Sequence, residues 1–207
     1  MTKKTKDEDC ADCWSPSERK IKAFFEFTKK VLFYPVVVLL VKLGVTANMV
    51  SYFSAFVGLV ATVYLWYDLR IAAILLLVSL AIDGIDGSVA RASKKKSLRG
   101  SITDCFCDQF AISATTIGFI ALGLVDPVIG ALYLVVYPTV IAFSIIRNII
   151  KKPASYVLRP RIIVFAVFWL YVITSLNIFN YVILPLSLIL LYQVIRDFYV
   201  LRAHLKN

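Results

Sequence analysis

Four aspartates, Asp83, Asp86, Asp104 and Asp108, share one short stretch, DGIDGSVARASKKKSLRGSITDCFCD. Apolar sequence flanks it, RIAAILLLVSLAI before and FAISATTIGFIALGLV after. An ionisable group at membrane depth is costly, which makes it a functional candidate by default. Asp83 and Asp86 are three positions apart, and Asp104 and Asp108 four, so each pair falls on one face of a helix. The connection between the pairs is short. Two antiparallel neighbouring helices then bring all four carboxylates into one cavity. Like charges so close must take up protons or cations. Pairing with Arg91, Lys94 and Lys95 is the bland solution, but the lysines lie past the helix end, where water is available. One or two divalent cations are the better one, and an all-oxygen donor set selects hard ions, Mg²⁺ or Mn²⁺. Such ions in a carboxylate cluster suit phosphate chemistry, where metals clamp a phosphorus centre between attacking and leaving oxygens. Gly84 and Gly87 strip side chains from the face beside the acids, so that a phosphate or nucleotide can approach the backbone. Arg91 follows one turn later and can fork onto phosphate oxygens. Gly100 similarly permits close helix approach near Asp104.

The elements that must hold these residues are membrane helices. Of the 207 residues, 60% are hydrophobic, and mean hydropathy is +0.80. Six apolar segments approach the length of about 20 residues needed to cross a bilayer: Ala47–Tyr67, Leu69–Ala92, Leu98–Leu124, Pro127–Ile150, Ile162–Leu176 and Tyr181–Leu201. None alternates polar and apolar residues as barrel strands do. The expected fold is an all-α integral membrane protein of six transmembrane helices, occupying 46–207. The first residues, 1–15, are charged and poor in apolar side chains, and read as a disordered cytoplasmic tail. Residues 16–45 follow, where Ser15 or Ser17 can cap a helix with Pro16 near its first turn. Ile21, Phe24, Phe25 and Phe27 then fall mostly on one side, with Lys20, Lys22, Lys29 and Lys30 around the others. That is a basic amphipathic helix lying in the membrane interface.

Charge orients the bundle. Of the 23 basic residues, all but Arg70 fall on the face shared by the N-terminal region, the loop of Lys94–Lys96, the loop from Arg147 to Arg161, and the C-terminus. Lys and Arg favour cytoplasmic loops, so both termini and the acidic cavity are expected on the cytoplasmic side of the cell membrane. The net charge of +10 reads as attraction to anionic headgroups, and no nucleic-acid module is visible. Cys10 and Cys13 form a lone CxxC without the further ligands a zinc site needs. His204 is the only histidine and sits near the C-terminus, which argues against histidine-based catalysis.

The pattern Asp83-x2-Asp86-Gly87-x2-Ala90-Arg91-x8-Gly100-x3-Asp104-x3-Asp108 resembles, position for position, the signature of the CDP-alcohol phosphotransferases. The resemblance covers the whole chain and implies an enzyme that displaces CMP from a CDP-linked donor by the hydroxyl of an acceptor. It implies that Asp83, Asp86 and Asp104 bind Mg²⁺ or Mn²⁺, and that Asp108 is the general base and also lies in the metal cluster. Gly87 and Arg91 would contact the CDP moiety, and Ser97 a phosphate. A Pro-Asn-x-x-Thr-like stretch that helps hold the nucleotide reads here Thr46-Ala47-Asn48-Met49-Val50-Ser51, with Ala47 in place of Pro and Ser51 in place of Thr. Thr46, Asn48 and Ser51 carry over, although Thr46 or Asn48 also makes an ordinary helix cap. A homodimer is expected by the same resemblance.

Chain length resembles that of prokaryotic phospholipid synthases that use CDP-diacylglycerol or its archaeal ether analogue. Arg147, Lys151, Arg159 and Arg161 flank the expected mouth and are candidates for gripping a phosphorylated acceptor such as glycerol 3-phosphate or an inositol phosphate. Serine and free inositol remain open, as does the reversed arrangement of a CDP-alcohol donor with a diglyceride acceptor. The rival class is a cation or anion transporter using the acidic cavity. Transporters often show inverted repeats and helices broken at the midplane, and this chain shows neither.

Overall fold

The computed structural model describes residues 34–93 and 97–204. The tail at 1–15 with Cys10 and Cys13, the amphipathic segment up to residue 33, and Lys94, Lys95 and Lys96 lie outside the described residues. Among the described residues the chain is all helix and connection. Helix α1 occupies 34–42, α2 Ala47–Tyr64, α3 Leu69–Ala92, α4 Leu98–Ala121, α5 Pro127–Ile149, α6 Arg161–Thr174 and α7 Phe179–His204. The apolar segments of the sequence thus become helices whose ends lie within a few residues of the expected ones.

Local chemistry fixes those ends. Thr46, Asp68, Ser97 and Asp126 each precede a helix and accept hydrogen bonds from its first backbone N–H groups, which no turn of helix can satisfy. Pro127 follows Asp126 at the opening of α5, where its missing N–H costs nothing. Between α1 and α2 the chain reverses at Gly44, φ +74°. The Val45 N–H returns to the Leu40 carbonyl at 3.0 Å, a closure that needs a left-handed residue and so favours glycine.

Helices α2, α5 and α7, with 18, 23 and 26 residues, are long and apolar enough to cross a bilayer. Large apolar side chains, among them Phe53, Phe56, Ile74, Val135, Ile173, Tyr181 and Leu188, stand exposed on the outside. In water such a surface drives aggregation, whereas in hydrocarbon it is the lipid-facing coat. The protein is an integral membrane protein. Helix α6 is shorter, 14 residues or about 21 Å at the helical rise.

Two packing groups make the bundle. Helix α2 lies against α3 and α4, and α5 lies against α7; α4 joins α5, and α6 bridges α3 and α7. Small residues let the first group approach closely. A Cβ on Gly58 would stand 3.2 Å from the Ala111 Cβ and 3.3 Å from the Ser79 hydroxyl. Ser54 and Ser79 exchange hydrogen bonds to each other's carbonyls, both at 2.9 Å, and Thr62 meets Thr115 at 3.1 Å. Without a hydrophobic driving force between helices in lipid, such contacts set which faces pair. Gly118 makes a close contact within the chain: a Cβ there would fall 2.6 Å from Leu65. Aromatic rings fill the centre, with Phe119 4.9 Å from Phe168 and 5.0 Å from Phe179. Val37 of α1 joins Val50, Ile85 and Val89 in a second cluster, which seats α1 on the start of α2 and on the end of α3 that carries Asp83 and Asp86.

Candidate active site

Helices α3 and α4 both pack on α2 rather than closely on each other, and α2 thereby brings the end of α3 and the start of α4 to one place. Asp83, Asp104 and Asp108 present carboxylate oxygens that all lie within 4.8 Å of one another. Asp86, the most buried of the four aspartates, stands beside Asp83 on α3 and accepts a 2.7 Å hydrogen bond from the Ser51 hydroxyl of α2. Of the four carboxylates expected to converge, Asp83, Asp104 and Asp108 do so within 4.8 Å.

The cluster contains one cation that the sequence did not place there. Arg161, the first residue of α6, donates from Nη1 to Oδ2 of Asp83 at 3.1 Å and to Oδ1 of Asp108. Its guanidinium also lies 5.7 Å from the centre of the Phe165 ring one turn on and is buried. Arg161 was expected at an open mouth; because α6 packs on α3, it reaches into the carboxylates instead. One guanidinium does not balance four carboxylates. An all-oxygen donor set with surplus negative charge and ligand spacing of this kind fits a hard divalent cation.

The expected nucleotide side gathers around the start of two helices. Thr46 caps α2 through the Met49 N–H at 3.4 Å, and Ser97 caps α4 through the Gly100 N–H at 3.1 Å. The two termini meet at Gly100, where a Cβ would stand 3.4 Å from both Asn48 Oδ1 and Ser97 Oγ. Two neighbouring helix N-termini offer N–H groups and dipoles suited to phosphate. On α3, the Arg91 guanidinium lies over the bare face of Gly87, with Nη1 3.6 Å from where a Cβ would be, and Nη2 donates to Ser88 at 3.2 Å. Arg91 is exposed. Ser51 differs from its neighbours in the motif. It is buried against Asp86 and so supports a carboxylate of the cluster.

The basic residues between α5 and α6 do not act as one patch. Lys151 is exposed and holds a left-handed backbone, φ 58°, at the position past a helix end where glycine is usual. Arg159 is half-buried. Arg147 is buried and bonded to Asp197 of α7 and to the carbonyls of Lys152 and Pro153. Asp197 was missed in sequence. It lies 50 residues from Arg147, and only the packing of α5 on α7 joins them.

The family model for CDP-alcohol phosphatidyltransferases matches residues 44–193. No individual curated protein matches the chain. The matched stretch opens at the turn before α2, reaches into α7, and holds the four aspartates, Arg161, and the helix starts at Thr46 and Ser97. That match spans well over half of the chain, and the chain belongs to the CDP-alcohol phosphatidyltransferase family.

Proposed function

We propose that the protein transfers a phosphatidyl group from a CDP-linked lipid, CDP-diacylglycerol or its ether analogue, to the hydroxyl of a small acceptor, releasing CMP. The observation that carries this reading is the convergence of Asp83, Asp104 and Asp108 within 4.8 Å beside a glycine-lined helix face. Asp83, Asp86, Asp104 and Asp108 would hold one or two Mg²⁺ or Mn²⁺ ions. Such ions supply the positive charge that binds a diphosphate and stabilises the departing phosphate.

The chain's own groups do the rest. Gly87 leaves room for the nucleotide, Arg91 forks onto its phosphate oxygens, and Asn48, Thr46 and Ser97 close the other side with the N-termini of α2 and α4. The lipid tails stay in the bilayer. Arg161 orients Asp108 through Oδ1, and Asp108 takes the acceptor's hydroxyl proton. The acceptor oxygen attacks the β-phosphorus, the bond to CMP breaks, and no protein atom is modified. Positioning and charge stabilisation carry the rate. Lys151, Arg159 and Arg161 grip the acceptor if it bears a phosphate, and Arg147 acts behind them.

The same reading completes the architecture: six spans, α2 through α7, with both termini and the acidic cluster on the cytoplasmic side of the cell membrane, assembled as a homodimer. The basic loops on one face support that orientation. The decisive experiment measures CMP release from CDP-diacylglycerol by purified protein over a panel of glycerol 3-phosphate, an inositol phosphate, inositol and serine. Release with one acceptor establishes the reaction and its substrate. No release with any, and turnover instead of a CDP-alcohol with diglyceride, would reverse the donor and acceptor.

A further inference from the structure

Arg161 reaches Asp83 and Asp108 from the end of segment 150–160, which has no helix or strand of its own. Irregular chain stays where its backbone groups find partners, so whatever holds this segment decides where Arg161 sits. Helix α5 holds one half: Arg147 donates from Nε to the Lys152 carbonyl at 2.9 Å and from Nη2 to the Pro153 carbonyl at 3.3 Å. Helix α7 holds the other: Gln193 Oε1 accepts from the Leu158 N–H at 3.1 Å, and Arg196 makes a long contact, 3.5 Å, to the Tyr156 carbonyl. Asp197 ties the two helices together. It is fully buried, and its Oδ1 accepts from Arg147 Nη1 and, at 2.8 Å, from Arg196 Nε.

A buried ion pair adds little over an apolar pair of equal volume, yet losing one half of it is costly. Net stability is therefore a poor explanation for this one, and the geometry it imposes is a better one. We infer that Asp197 and Arg147 are positioning residues: they fix segment 150–160 so that Arg161 is presented to Asp83 and Asp108, and through it they set the affinity for the acceptor. The inference rests on the transferase reading above.

The test separates positioning from stability. Asp197→Asn strands Arg147 and lowers the Tm in detergent by roughly 10 °C. The double variant Arg147→Met with Asp197→Leu removes both charges, keeps the bulk, and regains most of that Tm. It still leaves the Lys152 and Pro153 carbonyls without their donors. With whichever acceptor of the panel the wild type turns over, its acceptor KM rises about tenfold, while the KM for CDP-diacylglycerol stays within about twofold. Gln193→Leu releases the same segment without touching the ion pair, raises the acceptor KM in the same direction, and decides the matter if the double variant fails to fold. A stable double variant with the wild-type acceptor KM overturns the inference, as does an equal rise in both KM values or an unchanged acceptor KM in Gln193→Leu. A wild type that releases no CMP with any acceptor overturns the transferase reading itself and this inference with it.

Discussion

The Ser51 hydroxyl of α2 donates a 2.7 Å hydrogen bond to Asp86 of α3, across 35 residues of sequence. Outer partners of this kind orient the ligands of a metal, and their loss typically costs about 10–100-fold in metal affinity or activity. Ser51→Ala should therefore shift the Mn²⁺ concentration needed for half-maximal CMP release upward by about tenfold, with the saturated rate much less affected. Direct titration of bound Mn²⁺ by electron paramagnetic resonance checks it. An unchanged Mn²⁺ requirement would remove Ser51 from any part in the cluster.

Arg161 makes the opposite prediction for the same titration. Its guanidinium sits on Asp83 and Asp108, so it competes with any cation for those oxygens. Arg161→Gln should tighten Mn²⁺ binding by about three- to tenfold, on the order of one screened charge interaction, while turnover falls because Asp108 loses its orienting partner. Arg161→Lys should not rescue turnover, since both contacts come from Nη1, which lies one bond farther along the side chain than a lysine Nζ reaches. Weaker Mn²⁺ binding in Arg161→Gln would mean that the arginine builds the site and does not compete for it.

Helix approach in the first packing group should be unforgiving at Gly58. An added Cβ would meet the Ala111 Cβ at 3.2 Å, an atom fixed to a helix backbone. At Gly118 the neighbour, at 2.6 Å, is the end of the flexible Leu65 side chain, which can turn away. Overpacking of this kind costs about 1–3 kcal/mol. Gly58→Val should accordingly lower thermal stability in detergent more than Gly118→Ala does. The reverse order would contradict the close approach of α2, α3 and α4.

Much of this was legible in sequence because the signals are local. Helix starts at Ala47, Leu69, Leu98 and Pro127 follow from the cap before each, Thr46, Asp68, Ser97 and Asp126. The spacing of Asp83, Asp86, Asp104 and Asp108 marked two helix faces, and the packing of α3 and α4 on α2 brings Asp83, Asp104 and Asp108 together. Long-range partners were invisible. Nothing local says that Arg161 meets Asp83, 78 residues away, because that depends on α6 crossing α3. Ser51 looked like a nucleotide contact from its place in a motif, but helical phase turns it onto Asp86. Asp197 carries no local signal of its role, because only the packing of α5 on α7 brings Arg147 against it.

Orientation can be tested without any substrate. The basic residues from Arg147 to Arg161 and those near the C-terminus should face the cytoplasm. A cysteine placed at Lys152, which is exposed, should react with a membrane-impermeant maleimide only after the membrane is opened, whereas one at Tyr67, also exposed and between α2 and α3, should react in intact cells. The opposite pattern would invert the topology and put the acidic cluster on the outer face.

The aspartates themselves should separate by role. Asp83→Asn or Asp104→Asn removes a charged oxygen from the group gathered within 4.8 Å, so each should weaken Mn²⁺ binding and abolish turnover. Chelation of the wild type should do the same, and added Mg²⁺ or Mn²⁺ should restore it. Asp108→Asn keeps the size and shape of the side chain and its contact with Arg161, but an amide cannot take a proton from an attacking hydroxyl. Losing a general base costs on the order of 10²–10⁴-fold in rate. Affinity for CDP-diacylglycerol should fall far less, with some loss expected because Asp108 also belongs to the cluster. Equilibrium binding of the donor beside single-turnover CMP release distinguishes the two effects. Asp108→Asn turning over near the wild-type rate would end its assignment as the base, and all three Asn variants doing so would end the transferase reading.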